Sequence, residues 1–199
     1  SDNEEILGQS LTNATFDAGD WRIALWRADS KIHRTPEHSG FILHEADLLW
    51  LSRVAQNTDK PLLVLSHVPV SGHGQIGNYY FERNPSASTY PMAERARAAL
   101  AQSRHPVVCL SGHVHWNTIT TVDGITHLTQ QSLTESFTTR GEPAGAFGLL
   151  ELGETVSWQV QGLDPIAHSF KPHANRWTPP LPDFNQHPEF AARRRGDLK

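Results

Sequence analysis

Leu110-Ser111-Gly112-His113-Val114-His115 and, earlier in the chain, Leu65-Ser66-His67-Val68-Pro69 decide how this sequence is read. Each continues a short apolar run, Pro106-Val107-Val108-Cys109-Leu110 in one case and Pro61-Leu62-Leu63-Val64-Leu65-Ser66 in the other. Runs of that length without polar alternation predict strands buried on both faces. Both segments place histidine just past the strand, and in open α/β sheets ligands gather outside the carboxyl ends of strands. Neutral imidazole is the commonest nitrogen ligand for transition metals. His113 and His115 are one residue apart, and in an extended segment both side chains project to one side. Gly112 lets the backbone turn tightly beside them.

Working outward, Trp21–Ala28 alternates bulky with small or polar side chains and predicts a strand. Residues 1–20 read as an irregular segment that closes on the turn signal Gly19-Asp20. Residues 29–43 read as a loop. Glu45 to Gln56 carries Leu48, Leu49, Leu51, Val54 and Ala55 at near-helical spacing, with Glu45 and Asp47 suited to a first turn. Pro91 to Ser103 predicts a second helix, with Pro91 in its first turn. Thr118–Val122 and Ile125–Gln130 flank Asp123-Gly124 as a hairpin, and Ala146–Leu152 and Thr155–Val160 flank Gly153-Glu154 as another. Helices between buried strands imply a layered α/β domain. The hairpins imply a second, more antiparallel sheet packed face to face on the first, with helices outside. The domain is read over 21–162, and 163–199 as a proline-rich extension that drapes over it or trails off.

The chain of 199 residues suits one domain with a tail, and its 38% hydrophobic and 19% charged composition excludes disorder along its whole length. No apolar run is long enough to span a bilayer. A net charge of −4 argues against dedicated nucleic-acid binding. One cysteine, Cys109, excludes an internal disulfide and fits a reducing, cytoplasmic setting. The only methionine is Met92; the expectation is that an initiator was removed or that the chain begins inside a longer protein.

Ser66-His67-Val68-Pro69 and Gly112-His113-Val114-His115 resemble the last two motifs of the calcineurin-like metallophosphoesterases. The nearest branch is that of the bacterial cyclic-nucleotide and glycerophosphodiester phosphodiesterases. The match covers roughly residues 20–160 and includes the strand at 21–28, the Leu-Leu-Trp-Leu helix and both hairpins. The resemblance implies a four-layer α/β/β/α sandwich with mixed sheets and a dinuclear centre of Mn, Fe or Zn. By position, His67 and His113 would hold one metal and His115 the other. The family's other ligands sit in Asp-x-His, Gly-Asp and Gly-Asn-His motifs, the last of which also supplies a catalytic histidine. This sequence holds none of the three as an ordered set, so no catalytic residue is assigned within it. Three histidines alone would hold one metal or none. The chain then corresponds to the C-terminal half of a phosphoesterase, completed by a missing N-terminal half or another copy. An isolated half is expected to be tightly associated or poorly soluble.

Several other residues are candidates for the substrate. His73 lies in a glycine loop near the approach to His67. Tyr79, Tyr80 and Phe81, within the long irregular stretch 67–90, form either a cap over the substrate or an apolar plug or oligomer contact. Arg83 could meet phosphate, and Asn117 follows the histidine motif directly. The expected activity is hydrolysis of phosphate esters, diesters in particular, with a small phosphate ester as substrate. The alternative is a catalytically incomplete relative serving as a scaffold or assembly module. A third possibility, a single-metal all-β protein of the cupin type, conflicts with the two helical segments.

Overall fold

The structure is a computed structural model that describes residues 11–35, 39–72 and 75–174, together with Glu5, Ile6, Gly8 and Pro188. In chain order the strands are β1 (Ala14–Ala18), β2 (Trp21–Leu25), β3 (His33–Arg34), β4 (Ser39–Gly40), β5 (Leu62–Ser66), β6 (Val107–Ser111), β7 (Thr118–Val122), β8 (Ile125–Thr129), β9 (Phe147–Leu152), β10 (Val156–Gln161) and β11 (Ile166–Phe170). The helices are α1 (Glu45–Asn57) and α2 (Ala93–Leu100), with two 3-10 turns, Phe81–Arg83 and Pro85–Ala87, between β5 and α2.

One sheet of six strands runs β1-β2-β5-β6-β8-β7. Its centre, β2-β5-β6-β8, is parallel, and β1 and β7 close the two edges antiparallel. A second sheet, β11-β10-β9, is wholly antiparallel. The apolar runs of β5 and β6 are buried on both faces because each face meets a different core. On one face Leu62, Val64, Val107 and Cys109 pack with Leu48, Leu51 and Ala55 of α1 and Ala96 and Leu100 of α2. On the other, Leu63 and Val108 pack with Val156, Trp158 and Val160 of β10. Fully burying one such leucine or valine contributes about 1.5–3 kcal/mol. The fold is therefore α/β, in three layers among the described residues: helices, mixed sheet, antiparallel sheet.

Several boundaries differ from the sequence reading. The segment 1–20 is not irregular throughout, since Ala14–Ala18 pairs with Trp21–Leu25 through the turn at Gly19-Asp20. All five of its residues are exposed, so no burial pattern marks it, and Asp17 pairs with Arg22 and Lys60. The strand read over 21–28 ends at Leu25, although Trp26 and Ala28 stay in the core. The hairpin after the histidine motif joins the first sheet, because β8 runs parallel to β6, and does not open the second. Asp123 and Gly124 form its turn with φ of +53° and +75°, the left-handed pair a two-residue hairpin requires. The helix read over 91–103 is shorter, starting after Met92 at φ +51°. Ile166–Phe170 falls in the segment read as a trailing extension, yet it forms the third strand of the second sheet. The extension beyond residue 174 lies outside the described residues, Pro188 apart. The second sheet is not mixed, and no helix layer covers its outer face among the described residues, where Phe147 and Leu149 are exposed. Among the described residues, no helix is long and apolar enough to cross a membrane.

Candidate metal centre

β5 and β6 end level, with Ser66 opposite Ser111. The next residue on one side is His67 and on the other Gly112, whose N–H donates to the His67 carbonyl at 3.1 Å. The Val114 N–H turns back to the Gly112 carbonyl at 2.7 Å. The segment is not extended as its spacing suggested. His113 and His115 both have left-handed backbones, with φ of +63° and +51°, a conformation that costs about 1–2 kcal/mol for an L side chain. Val114 between them is fully buried and anchors the coil.

The His113 ring lies among His67 (5.1 Å between centroids), Phe41 (5.0 Å) and Phe81 (5.2 Å). Phe41 reaches it from the end of the β3–β4 ladder, and Phe81 from the 3-10 turn. Burial lowers the pKa of His113, aided by His67 and His115 and opposed by its bond to Ala87. The ring is therefore neutral near pH 7. Its Nε2 stands 2.7 Å from the Ala87 carbonyl oxygen and must carry the proton that this acceptor takes. Nδ1 then keeps its lone pair. His67 is likewise pushed down, by burial first and then by His115.

His115 has the complementary arrangement. Its Nδ1 lies 2.8 Å from Oε2 of Glu135, which leaves the Nε2 lone pair available when Nδ1 donates. Burial raises the Glu135 pKa, but hydrogen bonds from His115, Phe137 N–H and Thr138 N–H outweigh it and hold the carboxyl below its usual range. Histidines that bind metals commonly give their other ring N–H to a carboxylate or carbonyl, which fixes tautomer and orientation. His113 and His115 both show that pattern. The donor chemistry fits the imidazole part of a Mn, Fe or Zn centre. It does not fit a whole centre, because no group of three or more His, Cys, Asp or Glu side chains among the described residues could hold a metal ion.

A cavity of about 620 Å³ opens in front of these strand ends, floored by Ser66, His67 and Gly112 and walled by Gln130–Leu133 and Ala146–Gly148. A hollow of about 330 Å³ flanks His67 on the β2 side, along Trp26–Ala28. His67 thus stands between two concave regions at the carboxyl end of the central strands.

The other candidates distribute unevenly. Tyr79 reaches the centre indirectly, its hydroxyl 3.3 Å from Glu135 Oε2 and its ring stacked on Phe137. Tyr80 packs edge-on against Phe81 and is otherwise exposed. Arg83 is exposed at the end of its helical turn and does not line the cavity. The amide of Asn117 is engaged on both sides, donating to the Asp164 carbonyl (3.0 Å) and accepting from Gln131 N–H (2.8 Å), so it ties the two sheets together. His73 lies outside the described residues.

Three neighbours of the centre escaped the sequence reading. Glu135 is one carboxylate in a polar run with no periodicity around it. Phe41 lies in a segment read as loop. Asn78 is 3% exposed, donates to the Val114 carbonyl at 3.1 Å, and caps the N–H groups of Tyr80 and Phe81. Its signal was the Gly77-Asn78 turn ahead of the aromatics.

No protein-family model matches the sequence, and no curated protein matches it. Among solved structures, the fold is shared with a dimetal phosphatase from Danio rerio, at TM-score 0.59 and 16% identity over 80% of this chain and 60% of that one. The chain thus spans about 60% of the length of that neighbour. Two Vps29 structures from Entamoeba histolytica also match, a single mutant at TM-score 0.30 and 13% identity (75% of this chain, 98% of that one) and the wild type complexed with Zn²⁺ at TM-score 0.29 and 15% identity (77% and 99%).

Proposed function

We propose that this chain belongs to the calcineurin-like metallophosphoesterases and carries the imidazole half of a dinuclear centre that hydrolyses phosphate esters, phosphodiesters in particular. The observation that carries the reading is the paired commitment of His113 Nε2 to Ala87 and His115 Nδ1 to Glu135, both just past the end of β6 and beside His67 at the end of β5. A fold shared with a dimetal phosphatase supports it. His67 and His113 would hold one cation and His115 the other. When bound, two such ions, Mn, Fe or Zn, supply Lewis-acid charge for the phosphate oxygens and acidify a water molecule. The protein's own part is to hold the imidazoles in fixed orientations and to offer a cavity sized for a small phosphate ester. No acid or base is assigned within this chain. The carboxylate ligands that hold two dications ~3.5–4 Å apart come from an N-terminal half or from another copy.

A second reading has an observation of its own. No complete ligand set lies among the described residues, as expected of a scaffold or assembly module. One experiment separates the two. Metal content by mass spectrometry is measured with hydrolysis of a chromogenic phosphodiester, with and without Mn²⁺. Near two equivalents of metal with turnover, both lost in His113→Ala, supports the phosphoesterase reading. Absence of metal and turnover in this chain and in a longer parent containing it would overturn that reading and favour the scaffold.

A further inference from the structure

Glu135 lies outside both histidine segments, yet its side chain is 1% exposed and four donors converge on it. Oε2 receives His115 Nδ1 at 2.8 Å and the Tyr79 hydroxyl at 3.3 Å. Oε1 receives the N–H groups of Phe137 at 2.5 Å and Thr138 at 3.3 Å. Its own backbone is fixed as well, since its carbonyl accepts the Ala144 N–H at 2.7 Å and its N–H reaches the Ser132 carbonyl at 3.2 Å. A buried carboxylate satisfied in this way has one conformation open to it. The only oxygen it offers His115 is an acceptor.

We propose that Glu135 is a positioning residue of the metal centre: it fixes His115 as the Nδ1–H tautomer and orients the ring so that Nε2 presents its lone pair to the cation. The role of the cation rests on the function proposed above; the tautomer does not. Tyr79 shares the same oxygen, so the carboxylate also ties the aromatic segment around residues 79–81 to the histidine. Orienting partners of this kind typically change metal affinity by about 10- to 100-fold when removed.

The substitution Glu135→Gln gives a sharp test because it keeps the shape. The two backbone N–H groups retain the amide oxygen, since an NH₂ group there would face two donors. The NH₂ group then faces His115, and a donor facing Nδ1 requires Nδ1 to accept. The tautomer should invert to Nε2–H.

The experiment is a long-range ¹H–¹⁵N spectrum of the imidazoles in the ¹⁵N-labelled 199-residue chain, metal-free, with the backbone spectrum checking the fold. Zn²⁺ titration by calorimetry follows on the same samples. The expected result is Nδ1–H for His115 in the wild type, Nε2–H in Glu135→Gln, and Zn²⁺ affinity about 10- to 100-fold weaker in the variant. Nε2–H in the wild type overturns the proposal, and so does an unchanged tautomer or unchanged Zn²⁺ affinity in a folded variant. If Glu135→Gln does not fold, the wild-type spectrum decides together with Tyr79→Phe. That change removes one donor from Oε2 and should leave Nδ1–H in place; an Nε2–H form there overturns the proposal. A wild type that binds no Zn²⁺ but shows the inversion overturns the metal reading and supports Glu135 as the group that orients His115.

Discussion

Nε2 of His113 lies 2.7 Å from the carbonyl oxygen of Ala87, a residue separated from it by all of α2 and β6. The long stretch before α2 is therefore part of what sets the histidine's orientation. It supplies the acceptor that fixes the tautomer and, through Phe81, one wall of the ring's surroundings. This ordered covering sits on His113 itself and leaves the cavity in front of Gly112 open.

Asn78 clamps that stretch to the histidine loop, and Asn78→Ala tests the clamp. The substitution strands the buried Val114 carbonyl and uncaps two N–H groups. An unsatisfied buried polar group costs about 1–3 kcal/mol, so a loss of about 2–3 kcal/mol is expected in urea denaturation. A loss under about 0.5 kcal/mol would show that the loop is held by Phe81 packing alone.

Arg97 performs a similar task on the α2 side. Its Nε meets Asp123 Oδ2 at 2.6 Å, and one guanidinium nitrogen reaches the carbonyls of Val70 (3.1 Å) and Ser71 (3.0 Å). Hydrogen bonds involving a charged partner contribute about 1.5–3 kcal/mol each, so Arg97→Ala should cost about 2–3 kcal/mol in the same assay. Arg97→Lys should recover less than half of that, because a single ammonium cannot span a carboxylate and two carbonyls as the planar fork does. Full recovery by lysine would reduce the site to a simple charge pair.

The central strands, α1 and the position of His67 and His113 at the strand ends were legible because they rest on local signals. Leu62–Leu65 and Val107–Leu110 are continuous apolar runs, and Leu48, Leu51 and Ala55 fall on one helical face. What was not legible depends on contacts distant in sequence. Ala14–Ala18 exposes every side chain and is a strand only through its ladder to β2. β8 belongs to the first sheet because Thr126 pairs with Val108, which no hairpin signal specifies. Glu135 became part of the site only when the fold brought it to His115. The spacing of His113 and His115 suggested a strand-like display, whereas the positive φ of both residues puts them in a coil.

His127 predicts an acid dependence of stability. Burial pushes its pKa from 6.5 down to about 3, with Arg97 adding to the effect and Asp123 opposing it. Among the described residues its Nε2 has no hydrogen-bond partner. Below pH 6.5 the unfolded chain takes up a proton that the folded chain refuses until about pH 3. Acidification through that window therefore favours unfolding, by up to roughly 1.4 kcal/mol per pH unit for one such group. His127→Leu should be no less stable than the wild type at pH 7 and should lose that part of the slope between pH 6 and 4. An unchanged slope in urea titrations across this range would assign the acid sensitivity to other groups.

The left-handed backbone at His115 allows stability to be weighed against function within one residue. His115→Ala and His115→Gly both delete the ring and leave Glu135 without that donor, so those losses cancel between them. What remains is the backbone at φ +51°. Alanine keeps the steric cost of that conformation, whereas glycine adopts it freely but has more freedom to lose on folding. At a compatible φ the second term is worth about 0.4–1 kcal/mol, and the left-handed conformation costs an L residue about 1–2 kcal/mol. Glycine should therefore exceed alanine by about 0.5–1 kcal/mol, read as a higher denaturation midpoint at equal slope. If alanine equals or exceeds glycine, the segment relaxes once the ring is gone, and the strain is imposed by the His115–Glu135 contact rather than by the turn.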